Sequence, residues 1–450
     1  MTKNKLTKNE FAIALKRGQG RAVMHVNQHG LNGVSSIVLE SCLKNLSYDR
    51  QCESSRTDWL FSMFDGTAEL PGFSNALLSA LSIETELYDL QHLCEFAELL
   101  AKNGELKAHQ LLREIVLSQP LPDPGWPYGT HELVAIDGVG AVVAIVKRFG
   151  MLLLEEKRES SMWLGSFTDD IPSAKRKLTG LAKTDPAIKA FLDNQKEERK
   201  RFAKKPKSKS KKDEPEIELS CDEFVNHFFT KVGKEDYNFE LKMMDRRLAR
   251  NTYDEDLVAL LERLNGVEDE NVIVRVLRVF KVAELPEITP LLLKLVESKN
   301  LDIRDAAIDA LAKIQDTRLG ELARTKLKSK NFKAKDAEFI KLLIENFTNK
   351  DDQLMLNALK QTSLSDDVAH SVGFAIREIY RFNEELITTD LLQWDYERNP
   401  CTECRCSTVG LLMDLKGMTT EMLEECQYDS NEEIRLCVTK TTSISQNTAV

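Results

Sequence analysis

LDIRDAAIDALAKI, residues 301–314, decides how this chain is built. It opens with Asp302-x-Arg304 and runs on through Ala307-x-x-Ala310-Leu311, a charged start to a helical stretch. The stretches before it carry the matching period. Leu257, Leu260, Leu261 and Leu264 sit at i, i+3, i+4 and i+7, the stripe of an amphipathic helix. Ile273, Val276, Leu277 and Phe280 repeat that spacing, as do Ile288, Leu291, Leu292 and Leu295. Short polar breaks separate them, among them NGVEDEN at 265–271 and Leu285-Pro286. The order is helix, short turn, helix, repeated.

An early basic residue puts the second helix of each pair in register. Arg275, Arg304, Lys335, Arg405 and Arg435 take that place, with His370 in the remaining slot, at separations of 29, 31, 35, 35 and 30 residues. A two-helix period in this range is the signature of an α-solenoid. The D-x-R and A-x-x-A-L pattern of 301–314 resembles the second helix of a HEAT repeat. The first half echoes it less regularly. Residues 33–64 and 419–438 each place Tyr-Asp after an apolar helix, then an acidic turn, then Arg at the next helix (Tyr48, Asp49, Arg56; Tyr428, Asp429, Arg435). LYDLQHLCEFAELLAKNGELKAHQLLREIV, 87–116, is two helices joined at Asn103-Gly104, a good helix stop. Together the blocks resemble a group of bacterial HEAT-repeat proteins over most of residues 10–440, the basic stretch aside.

Composition narrows the function classes. At 450 residues, 42% hydrophobic and 30% charged, with twelve prolines and twenty glycines, the chain reads as folded and helix-rich. The N-terminal MTKNKLTKNEF has no apolar core of a secretory signal. The most apolar run, Leu133 to Val146, is broken by Asp137 and is too short to span a bilayer, so no membrane is expected. Nine unevenly spaced cysteines do not form a secreted disulfide framework, which favours the cytosol. Net charge is −10, yet Lys196 to Lys212 holds ten Lys or Arg against Glu197 and Glu198, so the remainder carries −18. An acidic body disfavours nucleic acid, apart from weak contact through that basic stretch. The stretch itself, Lys, Ser and Pro without large apolar residues, reads as a solvated linker.

Several motifs imitate chemistry. LVAIDGVGAVVAIVKRFGMLLLEE, 133–156, has Gly138-x-Gly140 after an apolar run, but Val143 stands where a dinucleotide fingerprint wants Gly or Ala. A glycine turn between two solenoid helices accounts for it. His25 and His29 lie four apart without a metalloprotease glutamate or a third ligand, and read as surface histidines. His131-Glu132 is a single His-Glu pair, which excludes the HEAT-like di-iron hydroxylases that carry several. There is no G-x-S-x-G and no P-loop. QPLPDPGWPYGT, 119–130, sets four prolines around Trp126, a stiff loop that could dock a partner or simply connect repeats.

NPCTECRC, 399–406, puts three cysteines within six residues. With a helix begun at Pro400, Cys406 falls beside Val409 and Met413 on the core face, Cys401 at its edge near Leu412, and Cys404 further round. One helix cannot aim all three thiols at a single tetrahedral metal. Packing is the reading adopted. Two alternatives stay: zinc with Cys401 and Cys404 as its candidate ligands, which would need 399–406 to be a loop and a fourth ligand such as Cys426 or Cys437, and a reactive pair activated by a helix N-terminus.

The sequence therefore predicts an all-α, HEAT-like solenoid in two arms, 1–194 and 218–440, with a basic, disordered linker at 195–217 and a polar tail at 441–450. Its expected work is non-enzymatic binding of a protein partner on the concave face, with no cofactor and no metal. Arg278, Asp305, Arg377 and Trp126 are the candidate contacts. Two rivals follow from the resemblance: a HEAT-like DNA alkylpurine glycosylase with a basic groove, and a HEAT-like bilin lyase or chaperone.

Overall fold

The computed structural model describes residues 5–118, 127–155, 157, 171–204, 219–233, 235–383 and 388–447, and every regular element among them is a helix. The chain divides into two compact units: residues 1–212 together with 423–450, and residues 213–422.

The first unit contains α1 (Lys8–Lys16), α2 (Arg21–His29), α3 (Ser35–Leu43), α4 (Thr57–Phe61), α5 (Leu70–Leu81), α6 (Leu87–Lys102), α7 (Leu106–Ser118), α8 (Thr130–Asp137), α9 (Val139–Leu154), α10 (Pro172–Leu181) and α11 (Pro186–Lys204). Each packs on near neighbours in the sequence: α5 on α6, α6 on α7 and α8, α8 on α9, and α9 on α11. Phe64, Phe96, Phe149 and Phe191 lie in one continuous core that runs along the stack. Between α8 and α9 the chain turns at Gly138, whose φ of +55° suits a residue without a Cβ. The apparent dinucleotide motif is therefore a turn between two helices.

The second unit contains α12 (Cys221–Phe229), α13 (Phe239–Arg250), α14 (Asp254–Leu264), α15 (Glu270–Val279), α16 (Pro290–Leu295), α17 (Leu301–Leu311), α18 (Thr317–Leu327), the 3₁₀ helix η1 (Ala334–Leu343), α19 (Asp351–Lys360), α20 (Asp366–Phe382), α21 (Asp390–Arg398) and α22 (Thr402–Asp414). Here α15 packs on α17, α17 on η1, η1 on α20, and α20 on α22. Those five carry Arg275, Arg304, Lys335, His370 and Arg405, five of the six positions of the basic register. They form a continuous row, and α18, α19 and α21 follow one another in the row beside it. This is an α-solenoid, in which each pair buries an apolar face that it cannot bury alone. Polar caps set the helix starts: Asp269 accepts the amides of Asn271 and Val272, and Asn300 those of Asp302 and Ile303.

Two sequence expectations change. The stretch 195–204, assigned to a disordered linker, is the end of α11. Ile188, Phe191 and Gln195 are buried, so the helix is anchored on its core side. Its charges also pair along the helix, Asp193 with Lys189 and Lys196, and Glu197 with Lys200. The rest of that stretch, 205–217, lies outside the described residues. The second arm, expected to reach 440, ends at 422. The following α23 (Thr420–Cys426) runs into α24 (Glu432–Asn447), and from Leu423 onward the chain belongs to the first unit. No helix among the described residues is long and apolar enough to cross a membrane.

Candidate partner-binding groove

A groove of about 410 Å³ opens in the second unit, lined from α12, α13, α15 and α17 and from the turn carrying Tyr237. Its floor is an ion network. Arg275 donates from Nε and Nη2 to the two oxygens of buried Asp245, each at 2.8 Å. His227 Nε2 stands 2.6 Å from Asp245 Oδ1 and 2.9 Å from Arg275 Nη2. Arg275 also reaches the carbonyl of Thr230 at 3.3 Å, and its guanidinium lies 5.5 Å from the centre of the Phe228 ring. Burial pushes the Asp245 carboxyl upward, but the hydrogen bonds and charge of Arg275 and His227 outweigh it and hold it below the usual range. Asp245 is therefore spoken for: it fixes the floor.

The walls differ in sign. On the α13 and α15 side, Lys242, Arg246 and Arg278 are exposed, with the Arg278 guanidinium 5.6 Å from the centre of the Tyr237 ring. On the α17 side stand Asp302, Asp305 and Asp309. Burial pushes the Asp305 carboxyl up despite bonds of 2.9 and 2.7 Å from Arg304. Asp309 takes Lys281 at 2.7 Å and Lys341 at 2.6 Å. Burial alone would raise its carboxyl, and the two lysines together hold it low. A floor held by its own ion pairs, between exposed Lys and Arg on one side and partly paired carboxylates on the other, suits a segment that carries both signs.

Of the four predicted contacts, Arg278 and Asp305 come together in this groove. Arg377 does not. It is 3% exposed, and its Nη1 donates to Asp395 Oδ2 at 2.6 Å, with Asp395 fully buried. By helical period alone, a charge off the apolar stripe faces solvent. On α20, however, Ile376, Arg377 and Tyr380 all lie within the packed face. Trp126 lies outside the described residues. Asp245 and His227 carry no mark in the sequence, where Arg275 stands out only by its place in the register. The available signal was the register itself, because Arg275, Arg304 and Arg405 are 5%, 5% and 0% exposed. A basic residue recurring on a packed helix at that depth must have a polar partner. Lys335 is exposed and breaks the rule.

His25 is buried too, against its reading as a surface residue. Its Nδ1 accepts the Leu6 amide at 3.2 Å, and burial, then His29 and Lys5, hold its pKa low.

The cysteine cluster departs from its expected phase. α22 begins at Thr402, with Cys401 as its N-cap, rather than at Pro400. The buried face is Cys401, Arg405, Thr408 and Leu412, which leaves Cys406 half-buried beside it. From α20, His370 brings Nε2 to 3.2 Å from Cys404 Sγ. These two atoms and Cys401 Sγ lie within 4.8 Å of one another. The Cys404 thiol is pushed up, first by its hydrogen bond with Cys401 and then by burial.

No protein-family model and no curated protein matches the chain. Among solved structures, a crystal structure of Kap121p bound to Pho4p aligns at 10% identity with a TM-score of 0.35. The alignment covers 97% of this chain and 54% of that one, so the chain spans about half the length of that structure.

Proposed function

We propose that this protein is a non-enzymatic binding scaffold of the cytosol, and that the groove over α13, α15 and α17 takes a segment of a protein partner. One observation carries the reading: Arg278 and Asp305, on opposite walls, frame a floor already held rigid by Arg275 and Asp245. A floor with its charges satisfied needs little ordering when a ligand arrives, which is what makes a groove a good anchor. The −18 outside Lys196 to Lys212 argues for a protein rather than duplex DNA, since a DNA groove would have to be assembled in a repulsive field.

The test has two arms. Partners captured from the native host by the full-length protein are compared with those captured by R278E, D305R and a control reversal at exposed Glu321 on α18. A partner lost with both groove variants and kept by the control supports the reading, and equal capture by all three rejects it. In the second arm, intact and alkylated duplexes are titrated at salt of roughly 150–200 mM, about physiological ionic strength. Submicromolar binding that survives there, with residues 196–212 deleted, would replace the scaffold with the glycosylase alternative.

A further inference from the structure

We propose that His370 Nε2, Cys401 Sγ and Cys404 Sγ form a zinc site in the second unit. Cys401 and Cys404 are a C-x₂-C pair at the start of α22, the spacing with which one turn of chain presents two thiolates to one ion. Helix geometry keeps Cys401, Cys404 and Cys406 from meeting at one ion, so a third ligand has to come from another element. The fold supplies it from 31 residues before Cys401: α20 packs on α22 and carries His370 to the pair. Zinc bound tetrahedrally by two sulfurs and a nitrogen holds those atoms about 3.5–3.8 Å apart. The three atoms already stand within 4.8 Å, one pair at 3.2 Å, so side-chain rotations of a fraction of an ångström to about one ångström close the site.

The ion itself would balance the charge of the two thiolates. Two thiolates and one Zn²⁺ are neutral together, which matters where Cys401 is 4% exposed. Of the buried charges nearby, Arg377 and Asp395 already pair with one another. Cys401 also sits at a helix N-terminus, where the backbone dipole favours a thiolate. Its amide is tied to Asn399 Oδ1 at 3.1 Å, and Asn399 is fully buried, so the N-cap turn is fixed in place. Soft sulfur and imidazole donors in this number select zinc over magnesium or calcium. With Cys404 and His370 half-buried rather than sealed, the fourth position is within reach of water.

Zinc binding releases the protons that the two thiols otherwise carry, so affinity rises with pH. The experiment uses full-length protein purified with reductant and without chelator. Metal content is measured by mass spectrometry, and the apo form is titrated with zinc chloride and with cobalt(II) for its thiolate absorption. One zinc per chain is expected. C404S and H370A should each weaken it by about 100-fold or more, since even residues one step behind a ligand cost roughly 10–100-fold. C406S, whose sulfur is outside the cluster, should bind as wild type does. Circular dichroism separates ligand loss from misfolding, and H370C, which restores a third ligand, should recover the metal. Two results would overturn the site: no zinc or cobalt binding by the reduced protein, or binding unchanged in folded C404S and H370A. A Cys401–Cys404 disulfide with no metal uptake after reduction would likewise replace it with a redox pair.

Discussion

Trp59 donates its indole N–H to the carbonyl oxygen of Tyr428 at 2.8 Å, joining α4 to a turn 369 residues further along the chain. The same turn gives the Ser430 amide to the Gly18 carbonyl at 2.9 Å, and Glu425 takes the Arg21 side chain at 2.8 Å. Three bonds of different chemistry thus hold the segment after 422 in the first unit.

Gly20 is where that docking is tightest. A Cβ there would overlap the carbonyl oxygen of Glu425, and backbone cannot swing aside as a side chain does. G20A should therefore loosen the segment and lower stability by about 1–3 kcal/mol, the usual range for overpacking. Hydrogen exchange reads it directly: amides near 425–435 should lose protection while those of α6 keep theirs. Unchanged protection at 425–435 would contradict the arrangement.

Arg377 and Asp395 should behave as a buried ion pair. Asp395 also receives Asn399 Nδ2 at 2.8 Å on Oδ1 and the Thr408 hydroxyl on Oδ2, so both of its oxygens are hydrogen-bonded. Removing one partner strands the other charge, and D395L or R377L should cost about 3–5 kcal/mol in urea unfolding. The double variant should recover part of that loss. Single variants within about 1 kcal/mol of wild type would show that the pair is solvated after all.

Glu132 and His92 make stability depend on pH in opposite senses. Burial pushes the Glu132 carboxyl up to about 7, helped by Glu95 and Glu98 against a hydrogen bond from Gln91 at 2.7 Å. The folded state then binds a proton that the unfolded chain has already lost, so stability falls as pH rises from about 4.5 to 7. E132Q should flatten that decline, by about 2–3 kcal/mol across the window. Parallel pH profiles for wild type and E132Q would refute it.

His92 is pushed down to about 4 by burial, against the Ser41 carbonyl at 3.1 Å. Here the unfolded chain takes up the proton first, so stability falls as pH drops from 6.5 towards 4. H92F should remove this loss and leave the opposite Glu132 dependence, which spans nearly the same pH window, unchanged. An acid limb as steep in H92F as in wild type would rule it out.

The sequence by itself determined the all-helical fold and the row of second helices. Both follow from local physics: a 3.6-residue apolar period selects helix, and polar breaks such as Asp269 and Asn300 supply caps whatever lies nearby. The echo between Tyr48-Asp49 and Tyr428-Asp429 was legible for the same reason. Asp49 accepts the Gln51 amide and Asp429 the Asn431 amide, each two residues on. The tertiary structure decided which charges are hidden and which residues far apart in the chain meet. Helical period alone placed Arg377 at the surface and Cys406 in the core, because phase on a helix becomes definite only when a neighbour packs against it. Asp245 finds Arg275, His370 finds Cys404, and Trp59 finds Tyr428 across 30, 34 and 369 residues. No local rule spans such separations. Each pairing exists because apolar faces elsewhere stack the helices and bring those groups within bonding distance.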